Sequence, residues 1–237
     1  MSGFDLLDAE RGIFATAQGG GGAAVFDREA VLAAGPADGA LGAELRSLRM
    51  GEVSLALEME PAGEPLRLSG DRVPASELLL CAARGTLERG GERTAVEGSA
   101  VSIEAAEAPP GDLRRSIVIA LADGGLLAVG AARPAGEAEH GGEEVVAALA
   151  AAPGEEAGAP EIAEVLLSTE LDAEGRQRRA TIEMWPAGEG EPAVRAGGTI
   201  VCGARIELPE ARVDTAFFRW SVDGRPGLGR YEIVVPR

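Results

Sequence analysis

The groups in this 237-residue chain that could do chemistry are carboxylates, arginines and a few aromatic rings. It holds 39 Asp and Glu against 22 cationic residues, all of them Arg, with one His, two Cys, two Trp, one Tyr and five Phe. Cys81 and Cys202 stand far apart with no Cys-x-x-Cys pair, which argues against a zinc centre or a dithiol redox site and allows one disulfide without requiring it. A single histidine cannot supply a two-histidine metal site, so no metal is expected. The glycine tract Gly19 to Gly22 lacks the Lys-Ser/Thr of a phosphate loop, so no nucleotide cofactor is expected either. What remains is acid chemistry by a buried carboxyl. Burial disfavours the charged form, so such a group can stay protonated near neutral pH and deliver a proton in a water-poor cavity. Aromatic faces and carboxylates can then stabilise positive charge.

Glu183 is the candidate acid. In Arg179–Trp185 it shares a strand face with Thr181 and Trp185, opposite Ala180, Ile182 and Met184. If the Ile182 face fills the core, Glu183 is solvated; otherwise Trp185, Glu183 and Thr181 line a cavity and bind substrate. Glu58 and Glu104 extend polar faces and read as solvated. Glu232 reads as the salt-bridge partner of Arg219, with a second role for that pair at a cavity mouth. His140 sits in a loose Gly-Glu segment and reads as a surface residue. Cys81 and Cys202, each next to apolar residues, read as core thiols.

These residues must be positioned by strands. Val53, Leu55, Leu57 and Met59 alternate with Ser54, Ala56, Glu58 and Glu60 before Pro61-Ala-Gly63, the pattern of a half-buried strand ending in a turn. Similar segments are Leu41–Arg49, Pro65–Ser69, Leu78–Glu88, Thr94–Glu104, Arg115–Ala122, Leu126–Ala132, Ala163–Leu171, Arg179–Trp185, Thr199–Glu207, Phe217–Val222 and Arg230–Val235. Turn signals such as Arg89-Gly-Gly-Glu92, Asp123-Gly-Gly125 and Asp223-Gly224 separate them,. Many short strands spaced by turns predict an all-β chain, an antiparallel barrel or sandwich. Glu143–Ala152 reads as a short helix or an Ala-rich strand. The Gly/Ala/Glu/Pro-rich stretch 134–160 around it is the expected linker between a β half at 1–133 and another at 161–237.

The closing hairpin is the sharpest local pattern, holding Phe217, Phe218, Trp220 and Tyr231. Phe218, Trp220 and Val222 share one face of the first strand; Tyr231, Ile233 and Val235 share one face of the second. A register bringing these faces together sets Trp220 opposite Tyr231, Phe218 opposite Ile233 and Arg219 opposite Glu232, with Asp223–Leu228 as the loop. Trp220, Tyr231, Arg219 and Glu232 are therefore candidate binding residues.

The segment Phe217-Phe-Arg-Trp-Ser-Val-Asp-Gly-Arg-Pro-Gly-Leu-Gly-Arg-Tyr-Glu232 resembles the closing segment of the tandem lipocalin-like proteins related to carotenoid 1,2-hydratase and hydroxyneurosporene synthase. Cys81–Glu92 and Leu171–Trp185 are similar to two further strand pairs of that group, in the same order. The resemblance implies two consecutive lipocalin-like halves forming one unit around an apolar ligand. It also implies enzymes that hydrate, cyclise or isomerise isoprenoid- or polyketide-like molecules with buried carboxylates and aromatics. Where the group commonly carries a His-Ser-Trp-Gly-like segment, this chain reads Gly98-Ser-Ala-Val-Ser-Ile-Glu-Ala-Ala106.

Three functions are compatible with these readings. One is a cofactor-independent lyase or isomerase acting on an apolar substrate, which requires an apolar cavity with a buried Asp or Glu. Another is a noncatalytic carrier, and the third is a structural or assembly partner with a filled barrel. The net charge of −17 repels phosphate backbones, so neither nucleic acid nor an anionic membrane surface is an expected partner. No apolar run approaches the roughly 18 residues of a membrane span, and the acidic N-terminus lacks a signal-peptide core. The chain is expected to be cytoplasmic, with homo-oligomerisation left open.

Overall fold

The computed structural model describes residues 2–18, 22–39, 45–107, 112–134, 136, 142–152, 160–188 and 190–237. Its named elements are all strands, forming two antiparallel sheets. The first contains β1 (Ser2–Asp8), β2 (Ile13–Gln18), β3 (Gly22–Asp27), β4 (Ala30–Pro36), β5 (Leu45–Met50), β6 (Val53–Pro61), β7 (Leu66–Leu68), β8 (Ser76–Arg89) and β9 (Glu92–Ala105). Their order is β4-β3-β2-β1-β9-β8-β6-β5, with β7 paired to β8. The second contains β10 (Leu113–Leu121), β11 (Leu126–Arg133), β12 (Glu144–Ala150), β13 (Ile162–Leu171), β14 (Gln177–Pro186), β15 (Val194–Glu207), β16 (Ala211–Val222) and β17 (Arg225–Pro236). Their order is β12-β11-β10-β17-β16-β15-β14-β13.

Each sheet curls into a nearly closed barrel. The outer strands of the first approach at a two-hydrogen-bond bridge between Asp38 and Arg49, and β12 lies beside β13 in the second. The curl is driven by burial of one face of every strand. Phe4, Leu6, Leu55 and Leu57 fill barrel one, and Ile117, Ile182, Phe218 and Trp220 fill barrel two. A third core, with Leu7, Phe14 and Phe26 from one sheet and Val118 and Phe217 from the other, glues the barrels together. Strands at this junction are buried on both faces, with apolar side chains toward each barrel and a mixture of apolar and polar ones between them.

The chain passes from one sheet to the other between β9 and β10, earlier than the 134–160 segment expected to link them. Within the range 134–160, Glu144–Ala150 forms β12 of the second sheet, a strand and no helix. Its apolar residues pack in the barrel-two core and in the shared core, and tertiary burial overrides the helical propensity of alanine.

The closing hairpin keeps its predicted faces but not its register. Trp220 pairs with Gly227, Phe218 with Gly229, Arg219 with Leu228 and Ala216 with Tyr231. The expected Arg219–Glu232 and Trp220–Tyr231 pairs do not form, because the loop is only Asp223-Gly224, with φ of 47° and 82°. Two left-handed residues make the tight turn that matches strand twist, so both strands continue further than a longer loop would allow. The aromatic cluster survives through diagonal contacts: Phe218 stacks on Trp220 at 5.4 Å between centroids and meets Tyr231 at 5.8 Å.

Candidate functional site

The barrels do not meet everywhere. Between them lies a cleft of about 510 Å³, walled by apolar side chains of both sheets, among them Leu68, Leu78, Ile103, Val118 and Val213. Strand alternation puts charge on its floor. Along β17, Tyr231 faces the barrel-two core, while Arg230 and Glu232 face the cleft. Across it, Thr16 and Gln18 project from β2 into the cleft, and beside them Asp5 and Leu7 of β1 face the other barrel, away from Phe4 and Leu6.

These polar groups form one buried network. Arg230 Nε lies 2.8 and 2.9 Å from the two carboxylate oxygens of Asp5, and Nη1 is 3.1 Å from Glu232 Oε2 and 3.2 Å from Ser116 Oγ. Gln18 Nε2 donates to Glu232 Oε1 at 2.7 Å. Arg230 is 2% exposed and Glu232 5%. Burial would discharge the guanidinium, but Asp5 and Glu232 outweigh it and hold its proton more firmly than water does,. One guanidinium is thus shared between two carboxylates at the base of the cleft. Both oxygens of Glu232 receive donors, so the group is set up as an acceptor. It can take a proton or stabilise positive charge developing on a bound molecule.

A loop from barrel one covers part of the cleft with Val73 and Pro74. It is held by Glu144 at the start of β12, whose carboxylate accepts from the backbone N–H of Asp71, Arg72 and Val73 at 2.7, 2.6 and 2.8 Å. Burial opposes its ionisation, but these three donors and the charge of Arg72 prevail and hold the carboxyl below the usual glutamate range. A second buried cluster joins Arg115, Glu143, Thr169 and Tyr231. Arg115 pairs with Glu143 through two nitrogens and donates to Thr169 Oγ1 at 3.3 Å, and the Tyr231 hydroxyl is 2.5 Å from that oxygen.

No protein-family model matches the sequence, and no curated protein matches it. Solved structures do match the fold. A candidate AttH from Nitrosomonas europaea superposes with a TM-score of 0.62 at 15% identity, covering 93% of this chain and 80% of that one. Kievitone hydratase from Nectria haematococca gives 0.60 at 10% identity, covering 99% and 87%. CghA solved with Sch210972 gives 0.61 at 10% identity, with the same coverage. The chain therefore shares the two-barrel fold of these proteins.

Of the residues singled out in the sequence, Glu232 lines the cleft. Glu183 is on the outer face of β14, its side chain 42% exposed and ion-paired with Arg195 at 3.3 Å; Thr181 on that face is exposed and Trp185 half-buried. Trp220 and Tyr231 are buried in barrel two, and Arg219 is exposed. Glu58 is exposed on β6, and Glu104 accepts from Ser2 Oγ at 2.8 Å. Both cysteines are buried free thiols, and His140 lies outside the described residues. Asp5, Thr16, Gln18 and Arg230 went unnoticed in the sequence. Arg230 alone carried a signal, as an arginine alternating with the buried aromatic of a closing strand. The others acquire their role only from partners on the opposite barrel.

Proposed function

We propose that the chain is a cofactor-independent lyase or isomerase, of hydratase or cyclase type, acting on an apolar isoprenoid- or polyketide-like substrate in the inter-barrel cleft. In this reading it is a divergent member of the tandem lipocalin-like group. The carrying observation is Glu232: a carboxylate oriented by Gln18 and Arg230 on the floor of a largely apolar cleft. The fold shared with an enzyme named as a hydratase supports the same direction. Glu232, rather than the outward-facing Glu183, takes the acid–base role. It removes a proton from the bound molecule or stabilises positive charge on it, while the apolar walls exclude water and strengthen that interaction. Arg230 and Asp5 are positioning residues that hold the carboxylate in place.

Native mass spectrometry of the protein purified from its own host tests the reading first, with a copurifying apolar molecule as the expected result. Glu232→Gln then separates enzyme from carrier. Loss of turnover with retained binding supports catalysis, and retained turnover removes Glu232 from the mechanism. Binding without turnover in the unaltered protein would make it a carrier, for which the satisfied hydrogen bonds of Glu232 also suit.

A further inference from the structure

We propose that the cleft selects an apolar molecule carrying an anionic oxygen group at one end, and that Arg114 reads this group. The inference rests on the cleft being the ligand site and adds the chemical class of the ligand.

Arg114 sits on β10 opposite Val234 of β17, two residues along from Ser116, which pairs with Glu232. Alternation puts Arg114, Ser116 and Val118 on the same face, so Arg114 lines the cleft with them. At about 3.4 Å per residue, its backbone is roughly 7 Å from the level of Glu232 and roughly 14 Å from that of Arg230. Arg114 has no ion-pair partner among the described residues, and its Nε is buried without an acceptor. A guanidinium left this way lacks the charge-assisted hydrogen bonds that usually compensate its partial desolvation.

The other charged groups of the cleft do not satisfy it. Arg115 is paired with Glu143, and Glu232 and Asp5 are occupied by Arg230. Glu210 lines the same cleft from the β15–β16 turn without forming an ion pair with Arg114. A guanidinium without a counter-ion at one end of a largely apolar cleft is the complement of a ligand with an apolar body and an anionic oxygen group at one end,. A planar, permanently charged fork at one end favours a carboxylate or an ionised acidic enol over a neutral group.

The probe is cis-parinaric acid, a fluorescent polyene carboxylic acid, compared with its methyl ester by fluorescence titration of the full chain. The acid is expected to bind about tenfold tighter than the ester, the scale of one charge-assisted hydrogen-bonded pair. Arg114→Gln should abolish that preference by weakening acid binding to the level of the ester, and Arg84→Gln, on an exposed outer face, should preserve it. Equal binding of acid and ester, or a preference that survives in Arg114→Gln, overturns the role of Arg114 while the cleft stands as a ligand site. Binding of neither probe overturns the cleft reading, and this inference with it.

Discussion

Arg230 and Asp5 stand 225 positions apart in the chain, yet the Arg230 Nε–H bridges both carboxylate oxygens of Asp5 from one barrel to the other. Their side chains are 2% and 1% exposed. Arg230 lies on the floor of the cleft beside Glu232, so the contact that joins the barrels also positions the candidate reactive carboxylate, Glu232. Losing Asp5 removes the acceptors of the buried Arg230 Nε and leaves the guanidinium with Glu232 as its one carboxylate partner. Asp5→Ala should therefore destabilise the protein by about 3 kcal/mol in urea unfolding, the range for breaking a buried ion pair from one side. Combining it with Arg230→Met should not recover that loss, because the buried Glu232 then loses its cationic partner,. An Asp5→Ala protein as stable as the parent would remove this pair from the account of how the barrels are held.

The Glu144 clasp predicts a pH-dependent cover over the cleft. Its folded carboxyl titrates below the ordinary glutamate value of 4.5, so its contribution is fully present above that value. It is lost as pH falls further, through the lower folded value, when the carboxylate that holds the three N–H groups is neutralised. Amide hydrogen exchange at Asp71, Arg72 and Val73 should accelerate in that acid window, beyond the change expected from intrinsic exchange. Glu144→Ala should give the same local acceleration at neutral pH with little change in the barrel cores. Unchanged protection of the 71–73 amides in Glu144→Ala would show that the loop is held by other contacts.

The alternation of β6, β14 and the closing hairpin was legible because each buries one face and solvates or differently buries the other. Strands β1 to β3 were not recognised. Phe4, Asp5, Leu6, Leu7 and Asp8 are all buried, so a strand sandwiched between a barrel interior and the second barrel shows no period of two. The cleft was illegible for a related reason. Gln18 and Glu232 lie on opposite barrels and meet only after both barrels fold and dock, and neither carries a local sign of the other. The family resemblance was strongest where turn chemistry is local, at Asp223-Gly224, and it anticipated the two-barrel plan without locating the cleft.

Trp220 explains a glycine that turn chemistry does not. Gly198 of β15 pairs with Trp220 of β16, and a Cβ there would lie 2.5 Å from the indole Cε3. The ring covers the glycine in place of a side chain, which is a packing requirement and not a matter of φ. Gly198→Ala should destabilise by about 1–3 kcal/mol through overpacking, with a changed near-ultraviolet circular dichroism signal. Gly197→Ala, where a Cβ would meet nothing within 4 Å, is the matched control. Equal effects in the two variants would refute the packing explanation.

Tyr231 offers a direct spectroscopic check on the barrel-two core, since it is the only tyrosine in the chain. Burial raises its phenol above the ordinary value of 10.0, against the opposing pull of the Arg115 charge and of the hydrogen bond with Thr169. A raised folded value means that the fold favours the neutral phenol. The stabilisation is thus complete below the unfolded value and lost as pH rises through the folded one. Alkaline titration should show tyrosinate absorbance emerging above pH 10 and together with loss of tertiary structure, not before it. Arg115→Gln removes the charge that favours the phenolate, so in that variant too tyrosinate should not precede the loss of tertiary structure. A phenolate forming in the native protein at or below the ordinary value would contradict the buried placement of Tyr231 and, with it, the facing of β17 that sends Glu232 into the cleft.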